Sequence, residues 1–170
     1  GAHLVYGVEP DIAVFAKAIS NGYPMAAIVG RGEVMQSAQD TFISSTYWTD
    51  RVGPVAAIAT ISKHERCNVP RHLIRVGTLV QKGWRDAAEA AGLNIEIEGI
   101  APLGHLSFVG DYKREAHTLF TQLMLERGFL APSAFYATVA HQDEHIEDYN
   151  KAVNDVFRII AAAHKSNSFA

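Results

Sequence analysis

GVEPDIAVFAKAISNGYPMAAIV, residues 7–29, places Lys17 between two short apolar runs. Residues 12–16 are predicted to form a buried strand and residues 25–29 a second strand, with a loop over residues 20–24 between them. Lys17 therefore stands where the first strand ends, and its side chain is expected to leave that end inside the fold. Because lysine is rarely fully buried, such a placement needs a chemical reason.

The chemistry open to Lys17 depends on its surroundings. Burial disfavours the ammonium form of a lysine and yields the neutral amine that can attack a carbonyl or form an imine. The alternative is a side chain that simply reaches solvent from the strand end. Spacing alone favours the second interpretation.

The rest of the chain alternates helices with short strands. Apolar periodicity, glycines and turn residues mark the ends of these elements. The predicted helices are residues 32–38, 52–66, 71–91, 113–127 and 143–164, and the predicted strands are residues 94–98, 106–109 and 136–140. This order is typical of an α/β protein whose C-terminal part is a mixed α+β module with a small sheet.

Three motifs stand in order along most of the chain. The first is the segment around Lys17 already quoted. The second is Thr46-Tyr47, followed by GPVAAIA at residues 53–59, which opens a helix. The third is LAPSAF at residues 130–135. Together they resemble the class III aminotransferases, which depend on pyridoxal phosphate, and the third motif resembles the glutamate-1-semialdehyde aminomutase branch of that family.

The resemblance implies a domain organisation and a catalytic lysine. The fold would be that of a fold-type I pyridoxal-phosphate transferase, with residues 1–65 ending the large domain, residues 66–91 forming a connecting helix and residues 92–170 forming the small C-terminal domain. Lys17 would be the Schiff-base lysine, which anchors pyridoxal 5'-phosphate and then moves protons as a general acid and base.

The resemblance also implies a phosphate site shared between subunits. Thr46 would bind the cofactor phosphate of the neighbouring subunit in a homodimer, and Ser45 is a weaker candidate for the same role. A hydroxyl close to a helix N-terminus suits an anionic phosphate. The alternative for Thr46 is an ordinary loop or helix-capping hydroxyl.

Substrate residues are less clearly indicated, since the chain departs from the motif after Thr46. Many relatives continue with Gly-Asn-Pro, whereas residues 48–51 read WTDR. Trp48 and Arg51 then indicate a different substrate. Arg51 would either grip a carboxylate by two hydrogen bonds or pair with its neighbour Asp50.

The C-terminal region offers Tyr136, with Ser133 and His141 nearby, where relatives shape the substrate pocket. Packing on a strand is the alternative for Tyr136, and a turn before a helix is the alternative for His141. No arginine there matches the carboxylate-binding arginine of ordinary omega-aminotransferases. This weakens an ordinary omega-aminotransferase assignment.

Three functions remain open at this point. The first is transamination between an amino acid or amine and a carbonyl compound, the second is amino transfer within one substrate as in the aminomutases, and the third is a non-catalytic phosphate-binding or oligomerisation module. The family's glycine-rich phosphate loop, its ring-stacking aromatic residue and its paired aspartate lie upstream of the lysine. We therefore expect the sequence to be a piece of a longer enzyme, inactive alone.

Composition excludes several other classes of protein. The net charge of −3 offers no basic face for nucleic acid, and the apolar runs are too short for a membrane span. Cys67 is the single cysteine, so no disulfide framework or cysteine metal cluster is expected, and the eight histidines show no metal-site spacing. We expect a cytoplasmic protein without a metal, nucleic-acid or membrane partner.

Overall fold

A computed structural model describes residues 2–166 and 168–169 of the 170-residue chain. The chain divides into two units between Cys67 and Asn68. The predicted boundary after residue 65 lies close to this division. The predicted connecting helix, however, belongs to the second unit and contributes to its core.

The first unit is built on a two-stranded antiparallel sheet, in which Ile12 lies opposite Gly30 and Phe15 opposite Ala27. Both strands were predicted, within two residues at each end. Its elements are α1 (Ala2–Tyr6), β1 (Ile12–Phe15), a 3-10 turn (Lys17–Ser20), β2 (Ala27–Gly30), α2 (Gly32–Met35), a second 3-10 turn (Gln36–Asp40) and α3 (Val52–Arg66). Helix α1 was not predicted.

The second unit packs three helices against a three-stranded antiparallel sheet of order β3-β4-β5. Its elements are α4 (Val69–Ala91), β3 (Ile95–Ile100), β4 (Leu103–Phe108), α5 (Lys113–Glu126), β5 (Ala134–Tyr136) and α6 (Asp143–Ser166). Each had a predicted counterpart, although several boundaries moved.

Apolar spacing explains the core of the second unit. Helices α4 and α6 carry apolar residues three or four positions apart, and these residues face each other. On β4 the buried Leu106 and Phe108 alternate with exposed neighbours, as one-sided burial of a strand requires. The largest fully buried side chains of this unit are Trp84, Phe120, Phe157, Leu106, Met124 and Ile160.

Two boundary predictions were wrong for physical reasons. Helix α4 begins at Val69, before the predicted start, because Pro70 lies in the first turn, where its missing N–H breaks no helical hydrogen bond. Strand β5 ends at Tyr136, where continuation to residue 140 was predicted. Tyr136 pairs with Leu103, the first residue of β4, so residues beyond Tyr136 pass the end of their partner strand.

A close approach between Gly77 of α4 and the β3–β4 hairpin connects helix to sheet. A methyl group on Gly77 would collide with the carbonyl oxygen of Ala101, which lies in the two-residue loop of that hairpin. The backbone contact therefore requires glycine at this position.

Replacing Gly77 with alanine is expected to destabilise the second unit by about 1–3 kcal/mol, the usual range for overpacking. Denaturant unfolding followed by the fluorescence of buried Trp84, in a Trp48→Phe background, measures this loss. Thr78→Ala, at the next and exposed position of α4, is the control and should change the unfolding free energy by no more than about 0.5 kcal/mol. Equal stability of the two variants would contradict the steric argument.

Candidate functional site

Lys17 opens the 3-10 turn that follows β1. The preceding Ala16 is extended, and Lys17 itself is in the left-handed region with φ 56°. The side chain is exposed within this chain, so the prediction that it would leave the strand end inside the fold was wrong. The reason is that β1 pairs only with β2 in the described residues, and its side chains alternate between exposed and half-buried.

The backbone of this segment is strained. A left-handed conformation costs a residue such as lysine about 1–2 kcal/mol, whereas asparagine adopts it more readily. Lys17 and Asn21 both adopt it. Such residues persist only where their surroundings hold them, and they cluster at functional sites. The strain therefore marks the lysine turn as a functional candidate independently of the sequence motif.

Ser20 ends the same 3-10 turn and was missed by the sequence analysis. Among the described residues it is the one serine, threonine, amide or charged side chain that is buried, with 0% of its surface exposed. Its hydroxyl donates to the carbonyl oxygen of Tyr23 at 2.5 Å. A serine in a loop gives no local sequence signal of burial, so only its position in the folded chain identifies it.

The loop that precedes α3 carries the predicted phosphate-binding hydroxyls. Ser45 and Thr46 are both exposed, and the Ser45 hydroxyl accepts the amide N–H of Tyr47 at 3.3 Å. The Asp50 carboxylate accepts the amide N–H of Val52 at 2.8 Å, which caps the start of α3. The described residues include no ion pair between Asp50 and Arg51, so that predicted pairing was wrong: the carboxylate binds the helix end instead.

A concave surface of about 540 Å³ lies between this loop and residues 24–28. Of the predicted site residues, Ser45 and Trp48 line it, whereas Lys17, Thr46 and Arg51 do not. The surface is mostly apolar, with hydroxyl and carboxylate groups along the loop side. Its lining includes Pro24, Met25, Ile28, Ser45, Tyr47, Trp48, Asp50 and Gly53.

Gly53 joins the hydroxyl loop to the chain that follows the lysine turn. It is buried in the first turn of α3, and a methyl group there would lie 2.9 Å from the carbonyl oxygen of Pro24 and 3.1 Å from Cβ of Met25. The lysine turn itself also lies against α3. These two contacts with α3 position the lysine turn and the hydroxyl loop relative to each other.

Tyr136 lies in the second unit, on the rim of a cavity of about 440 Å³. The tyrosine is exposed, while His141 and the buried Tyr149 line the interior together with Phe129 and Phe135. Trp84 donates its indole N–H to the Tyr149 hydroxyl at 3.0 Å, and burial raises the pKa of Tyr149 to about 12. Tyr149 is thus a neutral structural group of this cavity.

His141 is held as a neutral imidazole. Burial, followed by repulsion from His145 and His72, lowers its pKa below the ordinary value of 6.5. Its Nδ1 accepts the amide N–H of Thr138 at 3.0 Å, which requires that nitrogen to be unprotonated. His141 therefore contributes an uncharged ring to the cavity near neutral pH.

Neither a metal centre nor a membrane span is found in the described part of the chain. No group of three or more histidine, cysteine, aspartate or glutamate side chains among residues 2–166 and 168–169 is placed to hold a metal ion. No helix within those residues has both the length and the apolar composition needed to cross a membrane.

The fold matches that of solved transaminases. It also matches that of the FumI protein from Sphingopyxis sp. MTA144, which was solved in its PLP internal aldimine form. The two superpose with a TM-score of 0.89 at 22% sequence identity, over 97% of this chain and 40% of the other. The predicted fold class is confirmed: the chain has the fold of part of a pyridoxal-phosphate-dependent transferase.

The aminotransferase class-III family model matches residues 1–154, and the chain belongs to this family. The 3-aminobutyryl-CoA aminotransferase of Cloacimonas acidaminovorans is 32% identical over 161 residues, which cover 91% of this chain and 39% of the relative. The glutamate-1-semialdehyde 2,1-aminomutase of Methanothermobacter thermautotrophicus is 31% identical over 173 residues, which cover 92% of this chain and 41% of the relative. The chain thus spans well under half the length of these relatives.

Replacing Gly53 with alanine is expected to force the first turn of α3 away from Pro24 and to destabilise the first unit by about 1–3 kcal/mol. Hydrogen exchange of the α3 amides measures the change, because loss of this contact should speed their exchange. Gly32→Ala is the matched control, since a methyl group there meets no atom within 4 Å. Unchanged exchange in Gly53→Ala would show that the contact is dispensable.

Acid is expected to destabilise the second unit through His141. In the unfolded chain His141 binds a proton as the pH falls through 6.5, whereas in the folded chain it does so only at a lower pH. The unfolding free energy therefore decreases as the pH falls below about 6.5. His141→Gln, which cannot take up a proton, should flatten this dependence between about pH 7 and pH 5. Trp84 fluorescence during denaturant unfolding provides the readout, and identical slopes for the two proteins would refute the assignment.

Proposed function

We propose that this chain is part of a pyridoxal-phosphate-dependent aminotransferase in which Lys17 holds the cofactor. The observation that carries the proposal is the lysine at the strand end, with an exposed amine on a strained left-handed backbone. Membership of the class III aminotransferase family and the likeness to transaminase structures support it.

The donor set of the first unit suits pyridoxal 5'-phosphate. An aldehyde needs an accessible amine, which Lys17 supplies, and a phosphate needs hydroxyls and amides near a helix start. Ser45 and Thr46 supply exposed hydroxyls shortly before α3. The Thr46 hydroxyl would bind a phosphate oxygen, with Ser45 as a second donor.

The remaining roles divide among this chain's own residues. When bound, pyridoxal phosphate supplies an electron sink for the substrate's α-carbon. The Lys17 amine would take a proton from that carbon and return it elsewhere on the reacting skeleton. Trp48 would line the substrate side of the concave surface. Arg51, which forms no ion pair with Asp50 among the described residues, would bind a substrate carboxylate.

The substrates are an amino acid or amine and a carbonyl acceptor, with Tyr136 as a further substrate contact. The active form would be a cytoplasmic homodimer in which Thr46 serves the neighbouring subunit's site. Residues 1–65 would end the large domain, and residues 92–170 would form the small domain, as in the family.

An aminomutase is the second candidate, because a glutamate-1-semialdehyde 2,1-aminomutase is nearly as similar to the chain as the aminotransferase is. The two reactions differ in where the amino nitrogen ends. A ¹⁵N-labelled donor passes its label to a separate acceptor in transamination, whereas in a mutase the label stays within one carbon skeleton.

Incubation of the full-length protein, of which we propose this chain to be a part, with pyridoxal phosphate followed by borohydride is expected to modify Lys17 in preference to other lysines. The amine condenses with the aldehyde, water leaves, and hydride fixes the new carbon–nitrogen bond, so peptide mass spectrometry locates the product. Lys17→Arg should abolish the modification, because guanidinium does not condense in this way. Lys63→Arg, at an exposed position of α3, is the matched control.

Preferential modification of Lys17 would support the enzyme. If Lys17 of the full-length protein reacts no faster than Lys63, the aminotransferase proposal fails and a non-catalytic module of the same fold becomes the better explanation.

A further inference from the structure

Ser20 occupies an unusual environment for a short polar side chain. Its hydroxyl is buried and hydrogen-bonded to the Tyr23 carbonyl, while Lys17, three residues earlier, is exposed. Burying a hydroxyl costs free energy unless the hydroxyl forms a hydrogen bond. The buried and hydrogen-bonded Ser20 therefore indicates a structural role in the first unit. The bond closes the chain reversal that follows the lysine.

That reversal contains an unusual concentration of left-handed residues. Lys17 has φ 56°, Asn21 φ 50° and Gly22 φ 102°. The main-chain hydrogen bonds across it are long, at 3.3 Å from Ile19 to Ala16, 3.2 Å from Asn21 to Ala18 and 3.3 Å from Tyr23 to Ser20. Bonds of this length provide a weak hold on a strained backbone.

The Ser20 hydroxyl adds a side-chain constraint from the buried side of the turn. A 3-10 turn closes in about three residues, so fixing Ser20 at its end also fixes the peptide unit of Lys17 at its start. The turn lies against α3, which prevents it from rotating as a whole. The strained conformation of Lys17 is held because Ser20 is both buried and bonded.

We infer that Ser20 is a positioning residue for Lys17: the hydrogen bond from its buried hydroxyl to the Tyr23 carbonyl holds the lysine amine in the orientation that reacts with a carbonyl. This role rests on the proposed function of Lys17. Ser20 itself contacts neither cofactor nor substrate in this account and acts only through the backbone of the turn.

The competing explanation is that Ser20 only adds stability. The chain offers a matched control for it, because Ser37 also donates its hydroxyl to a main-chain carbonyl three residues away, that of Val34 at 2.8 Å. Ser37→Ala removes a hydroxyl-to-carbonyl bond of the same length of turn at an exposed position of the same unit and leaves the lysine turn untouched. It therefore controls for the loss of a serine hydroxyl as such.

The test compares modification of Lys17 with modification of Lys63 in the same sample, using pyridoxal phosphate and borohydride on the full-length protein. Ser20→Ala should lower the Lys17-to-Lys63 ratio on the order of tenfold, the factor that corresponds to one typical hydrogen bond. Ser37→Ala should leave the ratio unchanged. Ser20→Cys, which keeps the side-chain shape and a weaker donor, should give an intermediate ratio and remains informative if the alanine variant fails to fold.

Hydrogen exchange provides a readout that does not depend on the cofactor. Ser20→Ala should speed exchange of the amides from Lys17 to Tyr23 while those of α3 stay protected. An unchanged labelling ratio in Ser20→Ala, or an equal fall in Ser37→Ala, overturns the positioning role while leaving the proposed function standing. A full-length wild-type protein that labels Lys17 no faster than Lys63 overturns the proposed function itself.

Discussion

The contact between the first turn of α3 and Pro24 is the constraint on which the candidate site depends. The lysine turn leads through Ser20 and Tyr23 to Pro24, and the hydroxyl loop leads through Asp50 into α3. Gly53 lets these two segments meet backbone to backbone, since any side chain there would separate them. The backbone contact that Gly53 allows thereby holds two stretches about thirty residues apart in a fixed relation.

The second unit is stabilised by an apolar core rather than by a backbone contact of this kind. Its core is a continuous apolar cluster between α4, α5, α6 and the sheet, in which Phe108, Phe120 and Phe157 lie with ring centroids 5.4–6.1 Å apart. Aromatic pairs at such spacings add to the free energy of burial. The cavity beside this core contains Tyr149 and His141 in uncharged forms, so its character near neutral pH is apolar with a few polar groups.

The sequence predicted the structural features that depend on apolar periodicity. It did not predict the features that depend on which residues lie next to each other in the folded chain. The long helices and most strands followed from apolar spacing, and the family followed from motifs around Lys17 and Thr46. Burial of Lys17 was predicted from its apolar neighbours, but burial of a strand also needs a partner on each side, and among the described residues β1 pairs only with β2. Likewise, the charge of Arg51 suggested an ion pair with Asp50. The Asp50 carboxylate instead accepts a hydrogen bond from the amide N–H of Val52.

The burial of Ser20 and the close backbone contact of Gly53 were not predicted, for a related reason. A serine in a loop and a glycine before a proline are common features, and neither spacing nor residue type distinguishes a buried example from an exposed one. Their importance follows from what surrounds them in space: a carbonyl three residues away for Ser20 and the backbone of Pro24 for Gly53. Such features can be found only after the chain is folded.

The two units also differ in how much a single polar contact matters. A two-stranded sheet is at best marginally stable alone, and in the first unit several large apolar side chains, among them Val14, Ile28, Val55 and Ile58, are more than half exposed. Within this chain, little burial of apolar surface is therefore available to hold a strained turn. The hydrogen bond of the buried Ser20 hydroxyl is then a larger share of the local stability than a comparable bond in the second unit, which makes the geometry of Lys17 sensitive to Ser20.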